Sequence, residues 1–158
     1  MLVHPMPWLS RMILGAPHTG AMIVPELDLS SLTICGLGST ATRAEIEQRL
    51  GPPSDYFMRR KGQLSYPQLG LQLTVDDQQI LVGFSVMDGP GIFEQYAWKP
   101  GRSRAVPEEA WFVARLGQPT SRETDEEEVM LEWRRGTVFV GVDFTLKGRL
   151  ADVFVDYR

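Results

Sequence analysis

The sequence is poor in the residues that most often build metal sites, nucleophilic sites and cross-links. Its one cysteine, Cys35, excludes a disulfide within the chain, and its position beside an apolar run is typical of a small buried hydrophobe. The two histidines, His4 and His18, lie in the first 20 residues, and neither they nor Cys35 have partners at a spacing that zinc requires. The cysteine usage fits a reducing compartment, so we expect a cytoplasmic protein without a metal or cofactor.

An apolar run long enough to cross a membrane is also missing. Trp8–Leu14 is short and interrupted, Pro5 and Pro7 break the chain before it, and the first basic residue is Arg11, a pattern unlike that of a secretory signal. Residues 1–21 are therefore expected to form a loosely ordered N-terminal arm. The formal net charge of -4 argues against a nucleic-acid partner and is compatible with a basic protein partner.

What the sequence does contain is a short phrase that occurs twice. Leu50–Ser54 and Leu116–Thr120 both read Leu-Gly-x-Pro followed by a hydroxyl residue, and the same offset aligns Arg49 with Arg115. Each copy ends a helical pattern and precedes strand-like runs. A constant offset across helix, turn and strand predicts an internal repeat.

In the first copy, Thr42 and Glu45 have the spacing of a capping box, in which each side chain accepts a hydrogen bond from the other residue's backbone N–H. The pattern predicts a helix over Arg43–Leu50, which Gly51 and the prolines after it end sharply. Five strands are predicted around this helix, at Leu32–Cys35, Ser54–Met58, Leu64–Tyr66, Leu69–Val75 and Ile80–Met87.

In the second copy, Pro107 suits the first position of a helix, and the two glutamates that follow it suit the positive end of the helix dipole. This helix is predicted to reach Leu116 and to end at Gly117. The strands predicted after it are Thr120–Glu123, Val129–Trp133, Thr137–Phe144 and Leu150–Asp156.

Neither unit is large enough to form a good core alone. We therefore expect one α+β domain of two tandem repeats, each a short helix followed by an antiparallel meander of three or four strands, with both helices packed on one face of the sheet. The expected boundaries are 22–88 for the first repeat, 89–101 for a connector rich in aromatic residues and 102–158 for the second repeat.

The order of helix, Leu-Gly-x-Pro and antiparallel meander resembles the unit of the beta-lactamase inhibitory protein family and of the SmpA/OmlA-type (BamE-like) outer-membrane lipoproteins. The resemblance covers about residues 40–156, and the inhibitory proteins contain two such units in tandem. It implies a non-enzymatic protein-binding module. The lipoprotein cysteine and the disulfides of a secreted inhibitor have no counterpart in this sequence.

A glycine-rich turn at Gly36–Ala41 matches the form G-x-G-x-x-A, which in dinucleotide sites lets a pyrophosphate approach a helix N-terminus. The helix after it is short, and the following strands have hairpin spacing, which favours a tight turn into a capped helix instead. Paired carboxylates occur at Asp76-Asp77 and at Asp125–Glu128, but both sets lie in predicted turns, where acidic residues are usually solvated. No catalytic set is predicted.

Two predicted hairpin tips carry opposite charge at equivalent positions of the repeats. The tip formed by Asp125, Glu126 and Glu127 corresponds to Arg59–Lys61 in the first copy, and Glu123 and Glu128 extend the acidic tip. Three interpretations remain open. The tips are solvated turns, or they approach each other within the chain or across a homodimer, or the acidic tip binds a basic protein.

The connector between the copies contains Phe93, Tyr96, Trp98 and Arg102. Aromatic and arginine side chains are common anchors of protein interfaces. The alternative is that the aromatic rings fill the space between the two units, and Trp111 fits either interpretation.

These patterns favour a bacterial inhibitor or immunity-type protein that acts by binding, with its concave sheet, the aromatic connector and the acidic tip as its contact surface. The first alternative is a small-molecule-binding protein or enzyme with a pocket near the Gly36–Thr42 turn. The second is a structural homodimer; the sequence allows a monomer or a homodimer.

Overall fold

Strands from both halves of the chain form one large β-sheet. The structure, a computed structural model, describes residues 26–54, 60–87 and 108–158, and every structural statement below refers to these ranges. Outside them lie the predicted arm at 1–21, the connector at 89–101 and several predicted residues: Arg59, Phe93, Tyr96, Trp98, Arg102 and Pro107. Most of the predicted strand Ser54–Met58 lies outside as well.

Seven antiparallel strands form the sheet in the order β3-β4-β5-β9-β8-β7-β6. Their bounds are β3 Gln63–Tyr66, β4 Leu71–Val75, β5 Leu81–Met87, β6 Ser121–Thr124, β7 Glu128–Arg135, β8 Val138–Thr145 and β9 Leu150–Asp156. The last strands of the two halves, β5 and β9, pair in the middle, with Phe84 opposite Val155. The described chain is thus α+β, with one large antiparallel sheet and two helices.

The first helix, α1, spans Arg43–Leu50, as predicted. The Thr42 hydroxyl accepts a hydrogen bond from the Glu45 backbone N–H at 3.2 Å, and the Glu45 carboxylate accepts one from the Thr42 N–H at 2.8 Å, so the capping box is confirmed. Ile46 and Leu50 are fully buried. Gly51 ends the helix with a positive φ of 82°, a conformation that glycine adopts without steric cost.

The second helix, α2, spans Glu109–Leu116 and begins at the N-cap residue Glu108, whose side chain makes no capping hydrogen bond. Its buried residues are Phe112 and Leu116, as the repeat predicted. The Phe112 ring meets Phe144 of β8 edge-on, with centroids 5.9 Å apart. This contact places α2 against the sheet.

One predicted strand begins later than expected. The sequence pattern predicts a strand from Leu69, but Pro67–Leu69 form a short 3-10 helix. Pro67 has no backbone N–H to donate to a ladder, which favours the helical turn over a continued strand. Gly70 then takes a left-handed conformation, with φ 63°, and the chain enters β4 at Leu71.

A small hairpin precedes α1. Its strands are β1 (Leu27–Asp28) and β2 (Thr33–Ile34), and the latter lies within the predicted strand Leu32–Cys35. The hydroxyl of Tyr157, after β9, donates to the Leu32 carbonyl, and burial raises the pKa of this phenol to about 12. This hydrogen bond links the hairpin to the segment that follows β9.

The core lies on one face of the sheet, because the strands alternate between buried and more exposed residues. Both helices and the N-terminal hairpin contribute their apolar residues to this face. No polar or charged residue is fully buried among the described ones. In the same ranges, no helix is long and apolar enough to cross a membrane.

Candidate functional site

The other face of the sheet carries a mixed surface of acidic and aromatic side chains. Alternate residues of β6–β9 point away from the core and form a surface that we call the open face. Its residues are Ser121, Glu123, Glu128, Met130, Glu132, Arg134, Phe139, Gly141, Asp143, Asp152, Phe154 and Asp156. Most of these residues are half-buried or exposed, whereas the residues on the opposite face of the sheet are mostly buried.

Two stacked aromatic rings form the apolar part of the open face. The ring centroids of Phe139 and Phe154 are 5.5 Å apart, with the planes inclined by 30°. Phe154 lies across Gly141 on the neighbouring strand, where an added Cβ atom would clash with the Phe154 ring. The absence of a side chain at Gly141 therefore leaves room for the ring. The guanidinium of Arg134 lies 5.1 Å from the Phe139 ring centroid, within the range of a cation–π contact.

Beside the rings, two aspartates face each other across the central strands. Asp143 of β8 is directly opposite Asp152 of β9 in the strand register. On β7, Glu128 and Glu132 occupy the two diagonal positions around Asp143, since they are paired with Thr145 and Gly141. Like charges directly opposite each other in a sheet are destabilising.

The environment makes both aspartates harder to ionise. Burial, together with the charges of Glu128 and Glu132, raises the pKa of Asp143 to about 6. Burial, together with the charges of Asp143 and Glu128, raises the pKa of Asp152 to about 6, and a hydrogen bond from the Val153 backbone opposes this only in part. The Oδ1 atom of Asp152 is buried and has no hydrogen-bond partner. The cluster therefore combines desolvation with unrelieved like-charge repulsion.

The four carboxylates are not arranged as a metal site: the described ranges contain no group of three or more metal-ligating side chains with suitable geometry. Glu132 is partly engaged, because its Oε2 accepts a hydrogen bond from the Ser121 hydroxyl at 3.4 Å. The chemistry that the cluster offers is the binding of a cation, since a positive group would offset the repulsion and lower the pKa of both aspartates.

The predicted acidic tip divides between two roles. Asp125 Oδ1 accepts hydrogen bonds from the backbone N–H groups of Glu127 and Glu128, at 2.7 and 2.9 Å, so this carboxylate closes its own turn. Glu126 and Glu127 are exposed, whereas Glu128 begins β7 and joins the acidic cluster of the open face. Of the residues predicted to bind a partner, Glu128 alone is brought to Asp143 and Asp152 in the described chain.

Arg60 and Lys61 of the basic tip lie at the opposite edge of the described sheet from the acidic tip, because they precede the edge strand β3 and the other edge strand, β6, leads into the acidic tip. Lys61 instead forms an exposed ion pair with Asp77, with 2.7 Å between Nζ and Oδ1. Asp76, the other acidic residue of that turn, accepts hydrogen bonds from the backbone of Gln78 and Ile80. Asp76 and Asp125 therefore both serve turns, and no pattern in the sequence predicts Asp143 opposite Asp152.

The predicted pocket near the Gly36–Thr42 turn corresponds to a cleft of about 410 Å³. Arg49 crosses one side of it and donates a hydrogen bond to the Cys35 carbonyl at 2.8 Å. Gly36 makes room for that guanidinium, since a Cβ atom there would lie 2.6 Å from Arg49 Nη1. The N-terminus of α1 already holds the Glu45 carboxylate, which argues against a pyrophosphate at this position.

Comparison with known proteins identifies a fold and no family. No protein-family model matches the sequence, and no curated protein matches it. The structure is similar to the crystal structure of a DUF4309 family protein, YjgB, from Bacillus subtilis subsp. subtilis str. 168, with a TM-score of 0.54 and 10% sequence identity over 78% of this chain and 83% of that chain. At this identity the similarity supports the α+β fold alone.

Proposed function

We propose that the chain is a non-enzymatic protein-binding module of the bacterial inhibitor or immunity type, which acts in the cytoplasm and blocks a basic partner protein through the open face. The observation that carries this proposal is the pair of half-buried aspartates, Asp143 and Asp152, set opposite each other among further carboxylates. Strongly perturbed groups that share one surface are more frequent at functional sites than elsewhere.

The electrostatic argument gives the sign of the partner's charge. An arrangement that opposes ionisation of its own carboxylates destabilises the free protein, and a lysine or arginine placed between Asp143 and Asp152 removes that penalty. Charge pairs at an interface also raise the association rate and favour one partner over others. The exposed Glu126 and Glu127 at the edge of the same sheet extend the negative surface.

The aromatic rings supply the apolar part of such an interface. Phe139 and Phe154 lie on the open face, where Met130 of β7 is paired with Asp143, and aromatic residues and methionine are enriched at protein interfaces. Arg134 already contacts Phe139, which demonstrates that a guanidinium can be accommodated over this ring. A partner's arginine would therefore find an aromatic surface as well as carboxylates.

We also propose that the two halves are tandem repeats, as the resemblance to the beta-lactamase inhibitory protein family implies. In both halves an aromatic side chain donates to the carbonyl of the glycine that ends the helix. The Tyr66 hydroxyl donates to Gly51 O at 2.8 Å, and Trp133 Nε1 donates to Gly117 O at 2.9 Å. Both glycines have φ 82°, so the two helix ends repeat in geometry as well as in sequence.

The test is an affinity pull-down from the native cell lysate with the intact chain as bait and mass spectrometry as the readout. We expect one stoichiometric partner that loses its activity when bound. The Asp143→Asn/Asp152→Asn double variant should lose this partner, while Asp77→Asn, which removes an exposed carboxylate elsewhere, should retain it. Equal capture by the double variant would remove the open face from the proposal.

A further pair of substitutions tests the acidic tip separately. Glu126→Lys and Glu127→Lys reverse exposed charges and leave the Asp125 turn intact. They should slow association with a basic partner, most clearly at low salt, because rim charges act mainly on the association rate. An unchanged association rate would restrict the binding surface to the sheet.

The cleft at the Gly36 turn supports a second candidate function, the binding of a small molecule. Its volume of about 410 Å³ lies within the usual range of ligand pockets. This candidate would be favoured by a small molecule that copurifies with the chain and is lost on the Arg49→Met substitution. If Arg49→Met retained the ligand, its binding site would lie outside this cleft.

A further inference from the structure

A second cleft, of about 340 Å³, lies between residues 26–30 and one side of α2. Its apolar lining consists of Leu27, Leu29 and Trp111. Trp111 is half-buried and packs against the core, and its ring meets Phe112 edge-on with centroids 4.8 Å apart. The apolar wall is therefore held by the core itself and not by a mobile side chain.

Arg115 forms the positive wall of this cleft and is fixed in place by Trp111, one turn earlier on α2. Its guanidinium carbon lies 3.9 Å from the Trp111 ring centroid, and its Nη1 donates to the Trp111 carbonyl at 3.0 Å. Within the described ranges, no ion pair joins Arg115 to a carboxylate. A guanidinium has five N–H donors, so most of this group remains available for a ligand.

Asp28 lines the same cleft and supplies a negative charge. Its Oδ1 accepts hydrogen bonds from the Ser30 N–H and hydroxyl, at 2.8 and 2.6 Å, and from the Ser31 N–H at 3.3 Å. The hydrogen bonds from Ser30 and Ser31 lower the pKa of Asp28, so this carboxylate stays ionised. Its second oxygen accepts no hydrogen bond from the described residues. The cleft is thus lined by an anchored cation and an anchored anion.

We propose that this cleft binds an α-carboxylate whose residue carries an apolar side chain, in the form of a free amino acid or a peptide carboxyl terminus. The ligand's carboxylate pairs with the Arg115 guanidinium, which matches its bidentate geometry. The nitrogen attached to the same α-carbon donates to Asp28, and the side chain lies on Leu27, Leu29 and Trp111. A ligand with negative charge alone is disfavoured, because Asp28 and Glu26 line the same space.

The experiment titrates leucine, N-acetyl-leucine and leucinamide into the intact chain, with binding followed by calorimetry and by chemical-shift changes of the Trp111 indole N–H. Leucinamide, which lacks the carboxylate, should not bind. Binding of leucine alone identifies the free amino acid as the ligand. Binding of N-acetyl-leucine, whose amide N–H still reaches Asp28, identifies a peptide carboxyl terminus.

Substitutions then test the two charged side chains. Arg115→Met should weaken binding about tenfold or more, because a charge-assisted hydrogen-bonded pair is lost, and Asp28→Asn should weaken it less. Arg43→Met removes an arginine that pairs with Glu47 on α1 and should leave binding unchanged. Equal binding of leucine and leucinamide, unchanged affinity in Arg115→Met, or no saturable binding of either carboxylate would overturn the proposal.

Discussion

Replacing Asp152 by asparagine should stabilise the protein, which is the reverse of what most substitutions of half-buried residues do. The change keeps the size of the side chain and removes a charge that the sheet holds next to Asp143 and close to Glu128. The new amide can also donate a hydrogen bond to the Asp143 carboxylate across the strand pair. Both effects act in the same direction when Asp143 is ionised.

The magnitude follows from the pKa. Burial and the neighbouring carboxylates move the pKa of Asp152 from 3.8 to about 6, which corresponds to about 3 kcal/mol of opposition to ionisation. Part of this is repulsion shared with Asp143, and the side chain keeps some contact with solvent, so we expect a gain of about 1–2 kcal/mol at pH 8.

The pH dependence has a definite sign. Between about pH 4 and pH 6 the folded protein binds more protons at Asp152 than the unfolded chain does, because its folded pKa is raised. The free energy of unfolding therefore falls as pH rises through this window, and the loss is complete above it. Asparagine cannot titrate, so the variant should match the natural protein near pH 4 and exceed it at pH 8.

Urea denaturation at a series of pH values, followed by tryptophan fluorescence, measures this difference. The matched control is Asp156→Asn on the same face of β9, where the carboxylate pairs with Arg158 at 3.6 Å. That substitution should be neutral or slightly destabilising. A destabilised Asp152→Asn variant at pH 8, or a gain that does not change with pH, would refute the reasoning.

Three further substitutions test the fold, each by urea denaturation. Tyr66→Phe should cost about 1 kcal/mol, since the Gly51 carbonyl loses the phenol donor; an unchanged stability would mean that water replaces it. Thr42→Ala should also cost about 1 kcal/mol, because the capping box of α1 is lost, and Thr42→Ser should recover most of it. Gly141→Ala should lower the free energy of unfolding by about 1–3 kcal/mol through the clash with the Phe154 ring. In a Phe154→Ala background the same change should have no such effect, and additive effects of the two changes would contradict the contact.

The sequence predicts well those features that depend on neighbours in the chain. The bounds of α1, its capping box and the buried positions Ile46 and Leu50 follow from spacing within one turn, and the structure confirms them. The same local reasoning failed at Leu69, where Pro67 favours a short 3-10 helix. It also missed β1, because a strand of two residues carries too little pattern to be recognised.

The candidate site could not be predicted in this way, since it depends on which strands become neighbours. Asp143 and Asp152 each occupy a plain alternating position, and only the pairing of β8 with β9 sets them opposite each other. The register also shifts between Asp143 and Phe144, so counting back from the hairpin would have misplaced the pair. Gly141 is the one local signal, because a glycine within an apolar strand indicates a close approach by another group.

The acidic pair connects stability with function in a way that one substitution can separate. If Asp143 and Asp152 were a structural defect of the sheet, Asp152→Asn would raise stability and leave partner binding unchanged. If they form the partner's binding site, the same substitution should raise stability and weaken binding, because the charge that destabilises the free protein is the charge that attracts the partner. Opposite signs in the two assays are difficult to obtain from general loss of structure, which lowers both quantities together. Measuring both the stability and the partner binding of Asp152→Asn therefore distinguishes a destabilising pair without function from a binding site that lowers the stability of the free protein.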